Sequence, residues 1–272
     1  MILKIQKLLI VGLTLVLMSS CGNYQKVLKS TDNEYKYKKA FEYFEQEEYA
    51  KSSVLFGELV NLYRGTRRAP EAYYFYSKSL LAQKDYITAG YYFNLLKSEY
   101  PRSEYTEEAY FQIGYCFYKE SPKPRLDQTN TQKAIDAFSF FLNLYPESKW
   151  AAESQKMITE LNEKLVYKSY LSGKLYYDLG EYKAATISLR NCLKDYPDTK
   201  YKEDIMYMLF ESKYLLAINS VEEKKHERLI SALDEYYTFI DEWADSKYLK
   251  NVQNKFKVLS KLLNLEEINT EE

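Results

Sequence analysis

Three cysteines, a single histidine and thirty tyrosines are the side chains from which this chain could build chemistry, and their positions divide them sharply. Cys21 follows Lys4, Lys7, an apolar run from Leu8 to Met18 and the small pair Ser19-Ser20. That is the layout of an export signal, and the run is too short to span a bilayer. A cysteine directly after small residues is where a bacterial lipobox places the thiol that receives a diacylglycerol, although Met18 stands where leucine is usual. Acyl chains held at about 0.8 kcal/mol per buried CH₂ would fix the mature chain to a membrane. The expectation is a signal peptide over 1–20, lipid attachment at Cys21 and a lipidated linker over 21–32. Gly22-Asn23-Tyr24 lacks the aspartate that retains enteric lipoproteins in the inner membrane, which points to the outer membrane and its periplasmic face.

The other reactive residues read as structural. His226 lies in the charged run Glu222 to Arg228, the pattern of a solvated helix face. Cys116 and Cys192 occupy apolar positions far apart in sequence, suited to packing rather than to a bridge or a metal. No phosphate-cradling glycine loop, metal motif or nucleophile elbow is present, so the chain is expected to be no enzyme and to need no cofactor or metal. A formal net charge of −1 over 272 residues lacks the basic footprint of a nucleic-acid binder.

What remains is a repeat that must position the tyrosines. Four segments share an aromatic, usually Pro, any residue, Ser or Thr, any residue, and a second aromatic: Tyr100 to Tyr105, Tyr145 to Trp150, Tyr196 to Tyr201 and Trp243 to Tyr248, with a weaker copy at Tyr63 to Thr66. Proline closes a helix, and Ser or Thr is expected to be the N-cap of the next. Upstream of each corner runs a stripe of one small and two bulky residues: Ser52/Phe56/Leu59, Ala89/Phe93/Leu96, Ala134/Phe138/Phe141, Ala185/Leu189/Cys192 and Ala232/Tyr236/Phe239. Spacings of four and three place each trio on one helical face. An earlier helix of each unit carries its own pair, as in Ala40/Tyr43, Ser77/Leu80, Gly114/Phe117 and Gly173/Tyr176.

The two-helix unit resembles the tetratricopeptide repeat, Leu179 to Ala185 being its nearest copy. The expected fold is all-α, an α–α superhelix of about five such helix pairs. Repeats one to three are assigned to 33–150, and a long helix with repeats four and five to 151–265. The tail 266–272 is expected to be disordered. With the export signal, the recurring Tyr-Pro-x-Ser/Thr corner, the Pro-bearing interruption at Ser121 to Thr131 and the breaker-poor stretch Ala151 to Leu179, the chain resembles the BamD (YfiO) family. Lys133 to Tyr214 carries the resemblance most strongly, notably Ala137-Phe138, Tyr145 to Ser148 and Leu193 to Thr199.

That resemblance implies a role in the outer-membrane β-barrel assembly complex. The implied partners are a BamA-like barrel insertase, unfolded outer-membrane proteins and other lipoproteins of the complex. The amino-terminal repeats would recognise substrate and the carboxy-terminal repeats would join the complex. The arginine used by enteric members for the insertase aligns near Ser188, leaving Arg190 and Lys194 as candidate interface residues. Helical phase puts Tyr37, Phe41, Phe44, Tyr74, Lys78, Phe111, Tyr115 and Tyr118 on the inner wall. Two readings of that set stand together: a groove for an extended peptide ending in an aromatic and a carboxylate, and core packing between repeats. Two other functions compete, a periplasmic repeat adaptor of the Tol-Pal or peptidoglycan machinery and a glycan-binding surface lipoprotein.

Overall fold

The structure, a computed structural model, describes residues 23–264. The signal segment, Cys21 and the 266–272 tail lie outside the described residues. After a helical turn over 23–28 come α1 (Asn33–Glu45), α2 (Tyr49–Leu62), α3 (Ala69–Ala82), α4 (Tyr86–Glu99), α5 (Thr106–Lys119), α6 (Thr129–Leu144), α7 (Ala151–Asp178), α8 (Tyr182–Asp195), α9 (Lys202–Ile218), α10 (Glu222–Glu242) and α11 (Leu249–Leu262). The described residues contain no strand, and none of their helices is long and apolar enough to cross a membrane. The fold is all-α, with successive helices packed on one another from α1 to α6 and from α8 to α11.

The chain forms two compact units. One runs to Pro122 and resumes from Asp127 to Leu161; the other takes Lys123–Leu126 and continues from Asn162. The first is cored by Phe56, Leu59, Phe93, Leu96, Phe138 and Phe141, the second by Leu189, Cys192, Phe210 and Phe239, all essentially inaccessible to solvent. All but Phe210 belong to the stripes read from spacing. The small position of the first helix in a pair has a direct steric reason. A Cβ on Gly114 would stand 2.6 Å from a ring carbon of Phe138, and one on Gly173 would stand 2.4 Å from Leu189.

The turns inside three of the pairs, after α1, α3 and α7, share one geometry. Asp85 N–H reaches Leu80 O at 3.0 Å and Lys84 N–H reaches Leu81 O at 2.9 Å, the doubled closure of a helix end with a left-handed residue. Glu47, Lys84 and Gly180 hold that residue's place, with φ of 59°, 65° and 75°.

The corners between pairs correct one expectation. The Ser or Thr is not the N-cap; it sits two residues earlier and its hydroxyl accepts from the backbone N–H of the cap residue. The distances are 3.3 Å from Tyr105 to Ser103, 3.3 Å from Tyr201 to Thr199 and 3.0 Å from Tyr248 to Ser246. The cap residues themselves are Arg68, Tyr105, Tyr201 and Tyr248, none of which caps with its side chain. The ring is free for another task because the hydroxyl next door secures the backbone.

Candidate functional site

That task is to close the joint between pairs. Tyr37, Tyr74 and Phe111 stand at equal spacing on α1, α3 and α5, and Tyr170 and Tyr207 repeat the spacing on α7 and α9. Each receives the cap residue of the following corner. Tyr105 stacks on Tyr74 at 4.4 Å, Trp150 on Phe111 at 5.6 Å, Tyr201 on Tyr170 at 4.6 Å and Tyr248 on Tyr207 at 3.9 Å. At the weak first corner the Arg68 guanidinium takes the ring's place over Tyr37, 5.1 Å from its centroid. Lysines cover three of the corner rings: Lys149 on Trp150 at 4.3 Å, Lys200 on Tyr201 at 5.6 Å and Lys247 on Tyr248 at 4.8 Å.

Carboxylates on the first helices complete these joints. The Tyr37 hydroxyl donates to Glu71, and the Tyr74 hydroxyl donates to Glu108 at 2.9 Å. Burial, with the bonded carboxylate behind it, pushes both phenols well above their ordinary range. Burial alone would raise Glu108, but the Lys78 ammonium at 2.8 Å, the Tyr74 hydroxyl and Gln112 outweigh it and hold the carboxyl below its usual range. Asp204 is treated likewise: burial opposes, while Lys247 and the Tyr248 hydroxyl, 2.8 and 2.7 Å away, depress it. Glu34, Glu71, Glu108 and Asp204 each precede the stacked ring by three residues. Sequence reasoning missed that acid, although the recurring acid-x-x-aromatic spacing was its signal.

The eight inner-wall residues are therefore unequal. Tyr37 and Tyr74 are half-buried and spend both ring and hydroxyl on joints, and Phe111, 4% exposed, lies inside the core with Phe138 and Phe141. Phe41 meets Phe56 at 5.1 Å and Phe75 at 4.6 Å, both edge-on. Phe44 meets Tyr49 and Phe75, and Phe75 in turn touches Tyr74, so these rings form one continuous cluster. Lys78 is committed to Glu108, so a guest carboxylate would have to compete for it. Tyr115 and Tyr118 stack at 6.4 Å at the far end of α5 under Lys119. The Tyr118 hydroxyl gives Glu160 a 2.7 Å hydrogen bond, and that bond, with burial, pushes its pKa up to about 12. Phe44, Lys78, Tyr115 and Tyr118 keep part of their surface open.

Beside them, a cleft of 380 Å³ at the second and third corners gathers Glu104, Glu107, Glu108 and Glu147 with Lys149. A larger one, of 540 Å³, lies among α4, α5 and the start of α6, lined by Ile87, Gly90, Tyr91, Ile113, Cys116 and Phe117. Sequence reasoning followed the buried stripe Ala89/Phe93/Leu96 and passed over the Ile87 and Tyr91 pair, which is 75% and 58% exposed.

In the second unit, Arg190 and Lys194 share an exposed face of α8 one turn apart. Arg190 reaches Glu235 of α10 at 3.1 Å, and Lys213 reaches the same oxygen at 2.5 Å. His226 is exposed on α10, and Cys116 and Cys192 are buried free thiols. Among the described residues no group of His, Cys, Asp and Glu could hold a metal ion.

A family model described as YfiO, outer membrane lipoprotein, matches residues 29–229. The chain is 26% identical over 249 residues to a protein of Aquifex aeolicus (strain VF5) provisionally called outer membrane protein assembly factor BamD, covering 91% of this chain and 81% of that one. It is 24% identical over 212 residues to the outer membrane protein assembly factor BamD of Rickettsia prowazekii (strain Madrid E), covering 77% of this chain and 82% of that one. Among solved structures, a tetratricopeptide-repeat protein from Bacteroides fragilis NCTC 9343 aligns with 87% of this chain and all of its own at 15% identity. Its TM-score is 0.42, too loose a likeness to bear weight.

Proposed function

The chain belongs to the YfiO family of outer membrane lipoproteins, and from that premise we propose that it is a non-catalytic scaffold of outer-membrane protein assembly. In this reading it is anchored through Cys21 to the periplasmic face of the outer membrane. The observation that carries the reading is the family match over 29–229, which takes in α1 to α9 entire. The first unit would receive unfolded outer-membrane proteins, and the second would meet a BamA-like barrel insertase through Arg190 and Lys194. Other lipoproteins of the complex are further partners.

The side chains suit those tasks. Partly open rings at Phe44, Tyr115 and Tyr118 can add contacts of about 0.5–1.5 kcal/mol each to a guest aromatic, and an extended chain can lie along successive first helices. Tyr37, Tyr74 and Phe111 are spent on joints, so they would act on a guest by keeping those helices in place.

Affinity purification of the detergent-solubilised protein should recover a β-barrel insertase. Recovery of peptidoglycan enzymes or Tol proteins in its stead would sink the reading. Arg190→Ala should weaken that recovery without unpairing Glu235, because Lys213 still holds it.

A further inference from the structure

The described chain begins two residues after Cys21, and its first segment is no loose tether. Residues 23–28 form a helical turn, and Val27, 1% exposed, sits in the core of the first unit. Tyr24 meets Tyr43 of α1 edge-on at 5.6 Å. Lys51 of α2 lies over both rings, at 5.8 and 5.2 Å. Burial, Tyr43 and the charge of Glu58 together raise the Tyr24 hydroxyl above its ordinary range. The turn thus covers the outer flank of α1 and α2, the face that a preceding helix pair would cover in a longer array.

Helical spacing puts Lys51, Val54 and Glu58 on one stripe of α2. Val54 stands one turn along that stripe from Lys51, which faces Tyr24, and is 48% exposed. Two residues of fully extended chain reach about 7 Å. Fatty acids on Cys21 would be in the bilayer, so the docked turn cannot stand far from the headgroups.

We infer that this flank of the first helix pair, from Tyr24 across Lys51 and Val54, lies against the lipid headgroup layer, held there by the two-residue reach between the docked turn and Cys21. The inference rests on Cys21 being acylated. The charge of the segment agrees with it: Asn23 to Ser30 contains Lys26 and Lys29, both exposed, and no acid. Basic residues next to an anchor are drawn to anionic headgroups.

The test uses the full-length lipidated protein in vesicles of phosphatidylethanolamine and phosphatidylglycerol. A nitroxide is attached to Val54→Cys or, separately, to Phe140→Cys on α6, an exposed position two helix pairs further along the same unit. Cys116 and Cys192 are buried and take no label. Collisions with nickel chelated to lipid headgroups should be several-fold more frequent for the label at Val54→Cys. Equal frequencies in a protein that floats with the vesicles overturn the inference. A protein that does not float carries no anchor, and then the acylation reading fails and takes this inference with it. Inserting about ten Gly/Ser residues between Gly22 and Asn23 lengthens the tether into a flexible coil. Flotation should survive, while the Val54→Cys signal falls to that of Phe140→Cys; an unchanged signal overturns the role of the short tether.

Discussion

The joints at Tyr74 and at Phe111 hold the same place in successive helix pairs and are built from opposite materials. At Tyr74 a tyrosine ring stacks beneath Tyr105, its hydroxyl bonds Glu108, and Lys78 neutralises the carboxylate. At Phe111 the stacked pair is phenylalanine and tryptophan, with no hydroxyl on the inner ring and the whole side chain sunk among Phe138 and Phe141. A repeat can therefore keep one register with a charge-compensated polar joint or with an apolar plug. The two should answer differently to truncation, pH and the loss of one atom.

The largest effect belongs to the apolar joint. Phe111→Ala should cost about 3–5 kcal/mol, as for a phenylalanine removed from a packed core, read as a lowered urea midpoint of the first unit. The cost should be the same at pH 7 and pH 4. Next comes Glu108→Ala, expected to cost about 2 kcal/mol at neutral pH because Lys78 loses its half-buried partner and Tyr74 its acceptor. This loss should depend on pH. Glu108 is depressed in the fold, so its stabilisation is complete above the ordinary carboxylate range and disappears as pH falls through its lowered value. If Phe111→Ala proves to be the pH-sensitive variant, the contrast between the joints is wrong.

Tyr74→Phe removes one hydroxyl and leaves the stack, so about 1 kcal/mol is expected, and a double-mutant cycle with Glu108→Gln should show coupling. The smallest change sharpens the frame around both joints. Lys84→Gly replaces a left-handed lysine inside the second pair, and a gain of up to about 1 kcal/mol in thermal unfolding is expected, set against the wider freedom of an unfolded glycine.

Much of this architecture could be read before any coordinates. The trios Ala89/Phe93/Leu96, Ala134/Phe138/Phe141 and Ala185/Leu189/Cys192 are all fully buried, because a period of three and four is a local property of one helix. The joints were less legible. Tyr37 and Glu71 are partners across adjoining helix pairs, and the acid-x-x-aromatic spacing marks each position without saying which residue of another pair it meets. Inner-wall and joint residues also share one stripe of the first helix, so spacing could not separate Phe111, wholly interior, from Tyr118, which keeps an open edge. The corner hydroxyl was misplaced by two residues for a related reason: Ser and Thr suit a cap, but here they secure the N–H of an aromatic that does the capping with its backbone.

That arrangement has a consequence for how damage spreads. Tyr105 is at once the roof of the second helix pair, through its ring, and the first step of the third, through its peptide group. A lesion there injures two neighbours together, so fraying cannot be confined to one module. Each compact unit should melt as a single event, and a probe in α3 should report the same transition as one in α5.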